Sequence, residues 1–344
     1  MIIPHRHPLV IGSGLLLLLL LTMAAAAGMG YVSVPVAGVA RVVAGKMGFG
    51  DITALDPVVV AVVADVRLPR ILAAVVVGGV LAVSGTVFQG VLLNPLADPY
   101  TLGISSGAAF GASLALVASM IGLPFSGRLF LPLCAFGGAV ATLAAVLALA
   151  AGDRTLSSTS LILSGVIVAA ILSAAIGFLK FIADEQVGVI IFWLMGSLAG
   201  VGAGDFLILL PVTLAGLAVI FYHAGDLNIM ATGERCADTL GVETVRVRKI
   251  LLTCCSLMTA LCVAVAGIIG FVGLVVPHLL RLLVGPDNRA LLPLSFLGGG
   301  LLLLFADTLT RAVLPAEVPI GVLTALLGGP FFCWIFYRRE RRHG

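Results

Sequence analysis

Few residues in this chain could do chemistry, and most of those lie inside long apolar runs. Asp307 and Arg311 are four apart, the spacing that brings two side chains together on one helix face, so they read as an internal ion pair. A lone carboxylate within a membrane helix can also relay protons. With a guanidinium so near in sequence, the ion pair is the plainer reading. His278 follows Pro277 in an apolar stretch; a haem ligand is one use for it, and a hydrogen-bonded core histidine is the commoner one. Ser157, Ser158 and Thr159 form a run of hydroxyls just ahead of an apolar segment, where such residues cap helix N-termini. The six cysteines (Cys134, Cys236, Cys254, Cys255, Cys262 and Cys333) contain no C-x-x-C pair and read as small, mostly buried hydrophobes.

The missing motifs narrow the chemistry further. No G-x-x-x-x-G-K-[ST] occurs, and Gly45-Lys46 lacks both the leading Gly and the following Ser or Thr. The chain has no cradle for a nucleotide, so any ATP must bind elsewhere. It also has no H-E-x-x-H, no nucleophile elbow and no paired acids within its apolar runs. It is therefore not read as an enzyme, and no cofactor or metal is assigned to it.

The elements that carry these residues belong in lipid. Of 344 residues, 61% are apolar and 10% are charged, against roughly 25% charged in soluble domains. Mean hydropathy is +1.23. Glycine is abundant, at 42 residues, and membrane helices pack through small residues because lipid gives them no hydrophobic drive. A net charge of +3 is too small to suggest a nucleic-acid partner, and no basic run interleaves with aromatics, so none is expected.

Runs near the 20 residues a span needs occur at 9–30, 70–92, 102–122, 129–151, 160–179, 205–223, 249–268, 290–310 and 319–337. A shorter run at 270–284 is separated from the one before it by glycines and predicts a tenth helix after a tight apolar turn. The segment 187–198 is too short to span and reads as a half-buried helix. The first run is longer than a secretory signal core and reads as a retained helix. The fold class is thus all-α integral membrane, with ten transmembrane helices in a single domain over 1–344.

Ten crossings put both termini on one side. That side carries twelve Lys and Arg residues against seven on the other, so both termini are expected in the cytoplasm. Arg67, Arg70 and Arg311 are among the seven exceptions, each at the outer end of a helix, where snorkelling to headgroups is the plain account. The chain also repeats itself. VSGTVFQGVLLNP at 83–95 aligns with VAGIIGFVGLVVP at 265–277, and Leu131-Pro-Leu followed by Gly137-Gly138 recurs as Leu292-Pro-Leu followed by Gly298-Gly299. In this topology helices 2–5 and 7–10 form inverted repeats, an arrangement many transporters use. An ion-coupled secondary transporter is the alternative this symmetry raises, with Asp307 as its one candidate ion site.

The longest polar loop on the cytoplasmic side runs over 224–249, far more than a simple connector needs. Helix formers broken at Gly241 predict two short amphipathic helices across the inner face, a docking surface for a cytoplasmic partner.

Several motifs together resemble the FecCD-type permease family, the membrane subunits of ABC importers for iron-siderophore, haem and cobalamin. They are Arg67-Leu-Pro-Arg70, Gly85 with Gln89-Gly90, Asn94-Pro-Leu-Ala-Asp-Pro99, Leu102-Gly-Ile-Ser-Ser-Gly107, Thr232-Gly-Glu234 with Leu240-Gly241, GFVGLVVPH at 270–278, Ala306-Asp307 with Arg311, and Pro319-Ile-Gly321. The resemblance runs from about residue 65 to the end. It implies a type II ABC importer permease in the bacterial inner membrane. The expected partners are a second copy of the chain, two ATPase subunits that bind ATP-Mg, a periplasmic or lipid-anchored substrate-binding protein, and membrane lipid. It makes 225–247 the coupling loop, with Gly233, Glu234, Ala237, Leu240 and Gly241 seated on the ATPase. It also implies that Arg67, Arg70 and Arg311 meet acidic residues of the binding protein, for which the guanidinium fork is suited. Ser157, Ser158 and Thr159 match a cytoplasmic gate and Ser106 a second constriction, although some relatives carry Asn where this chain has Ser106.

Overall fold

The computed structural model describes residues 7–30, 34–49, 55–123, 129–153, 155–312 and 317–340. Of the charges counted above, Arg6, Arg128, Arg154, Arg341 and Arg342 lie outside them. Among the described residues the chain is helical, with no strand. The first half contains α1 (Pro8–Gly28), α2 (Val36–Lys46), α3 (Pro57–Val91), α4 (Ile104–Met120), α5 (Phe130–Ala150) and α6 (Ser158–Ala183). Then follow α7 (Val187–Leu194), α8 (Ala203–Tyr222), α9 (Ala224–Met230) and α10 (Glu234–Thr239). The chain closes with α11 (Thr244–Ala266), α12 (Val272–Val284), α13 (Asn288–Ala312) and α14 (Ile320–Glu340).

Every one of the ten apolar runs falls on a helix. Among the described residues seven helices are long and apolar enough to cross a membrane, and α4, α12 and residues Ile320–Phe331 of α14 are shorter apolar helices. Three features depart from the sequence reading. First, α2 was not expected, because its apolar stretch is too short to stand out by hydropathy. Second, α3 begins at Pro57 rather than near 70. Asp56 caps it, its Oδ1 accepting from Val58 N at 2.8 Å, and Pro57 fills the first turn. Third, α7 continues α6 through a single tight turn, Asp184–Gln186.

Within α3 the stretch Val62–Arg67 is π-helical, with Leu68 N bonded to Val63 O. Pro69 has no N–H to continue the α ladder there, so the turn before it widens. The expected break after α11 is present: the helix stops at Ala266, Gly267 and Phe271 take positive φ (69° and 68°), and α12 starts at Val272.

Helix α3 lies at the centre of the bundle, nearly all of it buried, while α1 lies against the outside. Close crossings depend on glycine. A Cβ at Gly85 would run into the backbone of Gly273 on α12, and one at Gly78 into Gly299 on α13. Gly107 of α4 and Gly138 of α5 make a third such contact. Backbone approach of this kind is how helices gain dispersion contacts where burial of apolar area brings little. Thr86 links two helices through its hydroxyl, donating to Ala82 O and pairing with Ser295 Oγ at 2.9 Å each, whereas the buried hydroxyls of Ser113, Ser256 and Thr259 have no hydrogen-bond partner among the described residues. Tyr100 Oη donates to Ile269 O at 2.9 Å, tying the turn after α3 to the break after α11.

Candidate functional site

Polar groups gather at the two ends of this bundle. At one end the three arginines sit together. Arg70 Nε and Nη2 both reach Asp307 Oδ1 at 2.9 Å, Nε lies 3.2 Å from Oδ2, and Nη1 is 3.4 Å from Glu317. Asp307 is 0% exposed. The i,i+4 pairing with Arg311 read from the sequence is therefore replaced. The carboxylate is held by Arg70 from another helix, because the side chain at 307 faces the bundle interior.

Arg311 instead donates from Nη2 to Ala26 O at 2.7 Å, and Arg67 from Nη1 to Ala27 O and Gly28 O at 2.8 and 3.2 Å. These carbonyls end α1, where the helix has no partners of its own and its dipole is negative. Arg67 and Arg70 are buried; Arg311 is half-buried.

At the opposite end the loop before α6 is tightly built. Asp153 Oδ1 accepts from Thr155 N and Oγ1 at 2.9 and 2.8 Å, and Oδ2 from Ser157 N and Ser160 Oγ at 3.1 and 2.9 Å. The bonds from Ser157, Thr155 and Ser160 hold the Asp153 carboxyl well below the usual carboxylate range. Ser157 caps α6, its Oγ accepting from Ser160 N at 3.3 Å. Ser158 is half-buried and Thr159 exposed in the same first turn. Ser106 lies half-buried near the start of α4, and that start is drawn against α6 because Gly165 leaves room for Thr101 O.

The connector between α8 and α11 contains two short helices, as read, but displaced. They are α9 and α10, separated at Gly233, and the segment after Gly241 is already the start of α11. Gly233 has φ 107° and Gly241 φ 84°. Val242 N bonds Ala237 O and Gly241 N bonds Asp238 O, both at 3.1 Å. This is a left-handed C-terminal cap, which glycine adopts without a Cβ penalty. Ala237 is buried beneath α10, Glu234 opens it, and Leu240 stands 62% exposed beside the cap.

Two polar anchors fix this connector. Asn228 of α9 donates to Asp287 at 2.6 Å and accepts from Asn288 N and Nδ2 at 2.8 Å. Arg248 of α11 reaches Glu234 and the loop before α6. Sequence reasoning missed Asp153, Asn228, Asp287 and Glu317, and it treated Arg248 only as a positive charge. For Asp153 the spacing to Thr155 and Ser157 was a usable turn signal. The others depend on partners remote in the chain.

His278 is half-buried in α12 and has an interaction partner of its own. Among the described residues no group of three or more His, Cys, Asp or Glu is gathered to hold a metal ion.

The profile of the FecCD transport family matches residues 16–338. Over 281 residues the chain is 43% identical to the cobalamin import system permease protein BtuC of Halobacterium salinarum, covering 82% of this chain and 74% of that protein. Over 293 residues it is 44% identical to the hemin transport system permease protein HmuU of Yersinia pestis, covering 81% and 84% respectively. An inward-facing conformation of a metal-chelate type ABC transporter superposes with a TM-score of 0.83 at 34% identity, covering 96% of this chain and 100% of that chain.

Proposed function

The chain belongs to the FecCD transport family, and from that premise we propose that it is the permease subunit of an ABC importer for a metal-chelate ligand. Iron-siderophore or haem comes first and cobalamin second. Two copies would enclose the pathway, each crossing the bacterial inner membrane ten times with both termini in the cytoplasm, and each built from inverted repeats. Two ATPase subunits bind ATP-Mg beneath them, and a substrate-binding protein delivers ligand from above. The permease supplies a passage, a gate around Ser106, Ser157, Ser158 and Thr159, and a coupling surface.

The observation that carries this reading is the α9–α10 connector. It leaves an apolar Leu240 exposed at a polar end of the bundle while its underside is buried and hydrogen-bonded to Asp287 in the loop before α13 and to Arg248 of α11. A surface loop that only joined two helices would need neither feature. At the other end, half-buried Arg311 is the arginine able to meet an incoming carboxylate directly. Arg67 and Arg70 contribute positive potential from beneath.

Copurification of the chain with an ATPase subunit tests the class of transporter. In the reconstituted complex, the chelate that stimulates ATP hydrolysis in the presence of the binding protein identifies the ligand. Transport that proceeds without an ATPase and follows an ion gradient would overturn the proposal.

A further inference from the structure

Arg248 lies one turn into α11, where a cation would ordinarily reach for water, yet its side chain is 7% exposed. Nη1 donates to two consecutive carbonyls, Thr155 O at 2.6 Å and Leu156 O at 3.0 Å, and lies 3.5 Å from Glu234 Oε1. The carbonyls immediately precede Ser157, the cap of α6, and Glu234 is the first residue of α10. One buried guanidinium therefore touches both the loop in front of the candidate gate and the helix of the candidate coupling surface.

The loop on which Arg248 pulls is stiff. Leu156 is buried and has φ 49°, a left-handed conformation uncommon for a residue with a side chain. On the far side of that residue Asp153 holds Thr155, Ser157 and Ser160 with four hydrogen bonds. A stiff segment gripped by a buried cation follows the cation, because parting them would leave the charge unpaired in a poorly solvated place.

We propose that Arg248 is the transmission residue of this permease, tying α10 to Thr155 and Leu156 so that a displacement of the connector carries them and Ser157 with it as one body. The inference rests on the coupling reading of the connector, and it adds the route by which that surface reaches the gate. Chain-remote groups that share one rigid contact form a physical path between sites, which sequence position alone does not supply.

The test uses the complex with its ATPase in vesicles, in a background with Cys236 and Cys333 replaced by Ser. Spin labels on exposed Arg235 and Gly152 report the link, and labels on Arg235 and exposed Glu185 report movement of the connector against the far end of the bundle. Between nucleotide-free and ATP-trapped states the 235–185 distance should change while the 235–152 distance stays fixed. In Arg248→Gln the 235–152 distribution should broaden and become state-dependent. Ligand moved per ATP hydrolysed should then fall about tenfold, as loss of coupling between two sites predicts, with the ATPase still copurifying.

A 235–152 distance that shifts between states in the unsubstituted complex overturns the proposal, as does a 235–185 distance that never changes. So does an Arg248→Gln complex with unaltered distances and transport ratio. If Arg248→Gln does not reach the membrane, the unsubstituted labels decide alone. Failure of the coupling reading looks different: Leu240→Asp would then hold the ATPase as well as the native chain does.

Discussion

Replacing Asp307 by Asn removes one charge from the buried end of the bundle and leaves the shape nearly unchanged. In the native arrangement Oδ1 receives two Arg70 donors at 2.9 Å, and Arg67, Arg70 and Arg311 are opposed by Asp307 and Glu317. With Asn at 307, Glu317 is the carboxylate left to Arg70 among the described residues, and its side chain is half exposed and 3.4 Å at its nearest from Arg70. Removing one member of a buried pair costs about 3–5 kcal/mol, because the other charge stays behind uncompensated. At about 1.4 kcal/mol per decade the folding ratio falls by about two to four orders of magnitude.

The same reasoning says Arg70→Met in the Asp307→Asn background should recover much of the loss, since replacing both partners by neutral groups is often nearly neutral. Thermal unfolding of the purified chain in detergent, followed through its helical circular dichroism, ranks the four proteins. The expected order is native, then the double variant, then the single variants. Asp307→Asn as stable as the native chain, or a double variant no better than the worse single one, refutes the argument. A carboxylate that served as a proton relay would behave otherwise, abolishing transport at unchanged stability.

Labelling of single cysteines should find position 246 accessible only from the cytoplasm, and positions 46 and 184 only from outside intact cells; label at 246 from outside would remove both the topology and the coupling surface. Arg311→Glu should weaken capture of the ligand-loaded binding protein, since like charges meeting across an interface cost up to several kcal/mol, and binding assays with the ATPase complex read this directly. Leu240→Asp puts a charge into whatever groove receives the exposed leucine, and Gly241→Val puts a β-branched side chain at φ 84°. Both should give a folded permease that loses the ATPase in pull-down and takes up no ligand in vesicles, and full uptake by both would make the connector a mere link. Gly85→Ala should sharply reduce folded protein, because its Cβ meets the Gly273 backbone, whereas Gly137→Ala, with open space at that position, should be tolerated.

The helices were legible because hydropathy is a local property: about 20 consecutive apolar residues specify a span whatever they later pack against. The break at 267–271 was legible too, since a run longer than one span with Gly267 and Gly270 inside it must stop somewhere. Position within the assembly was not. Asp307 has an arginine four residues away, yet its partner is Arg70, 237 residues distant, because the face on which 307 lies is turned inward by the packing of α13 on α3. Arg248 illustrates the same limit: its neighbours in sequence say only that it is a cation near a membrane boundary. Short features were lost for a different reason. The Asp56-Pro57 start of α3 is a helix signal that a hydropathy window averages away, and the Asp153 turn occupies too few residues to register beside two long helices.

Arginine also explains why the charge count was less lopsided than the positive-inside tendency predicts. Positive residues bias topology as solvated charges next to the membrane, but several here serve as hydrogen-bond donors to remote backbone or side chains. Arg67 and Arg311 satisfy the terminal carbonyls of α1, Arg70 holds Asp307, Arg248 holds the loop before α6, and Arg281 donates to Gln89 at 3.0 Å. In a bilayer such donors have structural value of their own, since a helix end lacking water needs partners from the protein. Setting these five aside leaves ten positive residues on the side of the connector and four on the other. The ratio thus rises once the arginines committed to structure are removed. That favours a cytoplasmic connector more strongly than the raw count, the side on which the proposed coupling role needs Leu240 and the loop before Ser157 to lie.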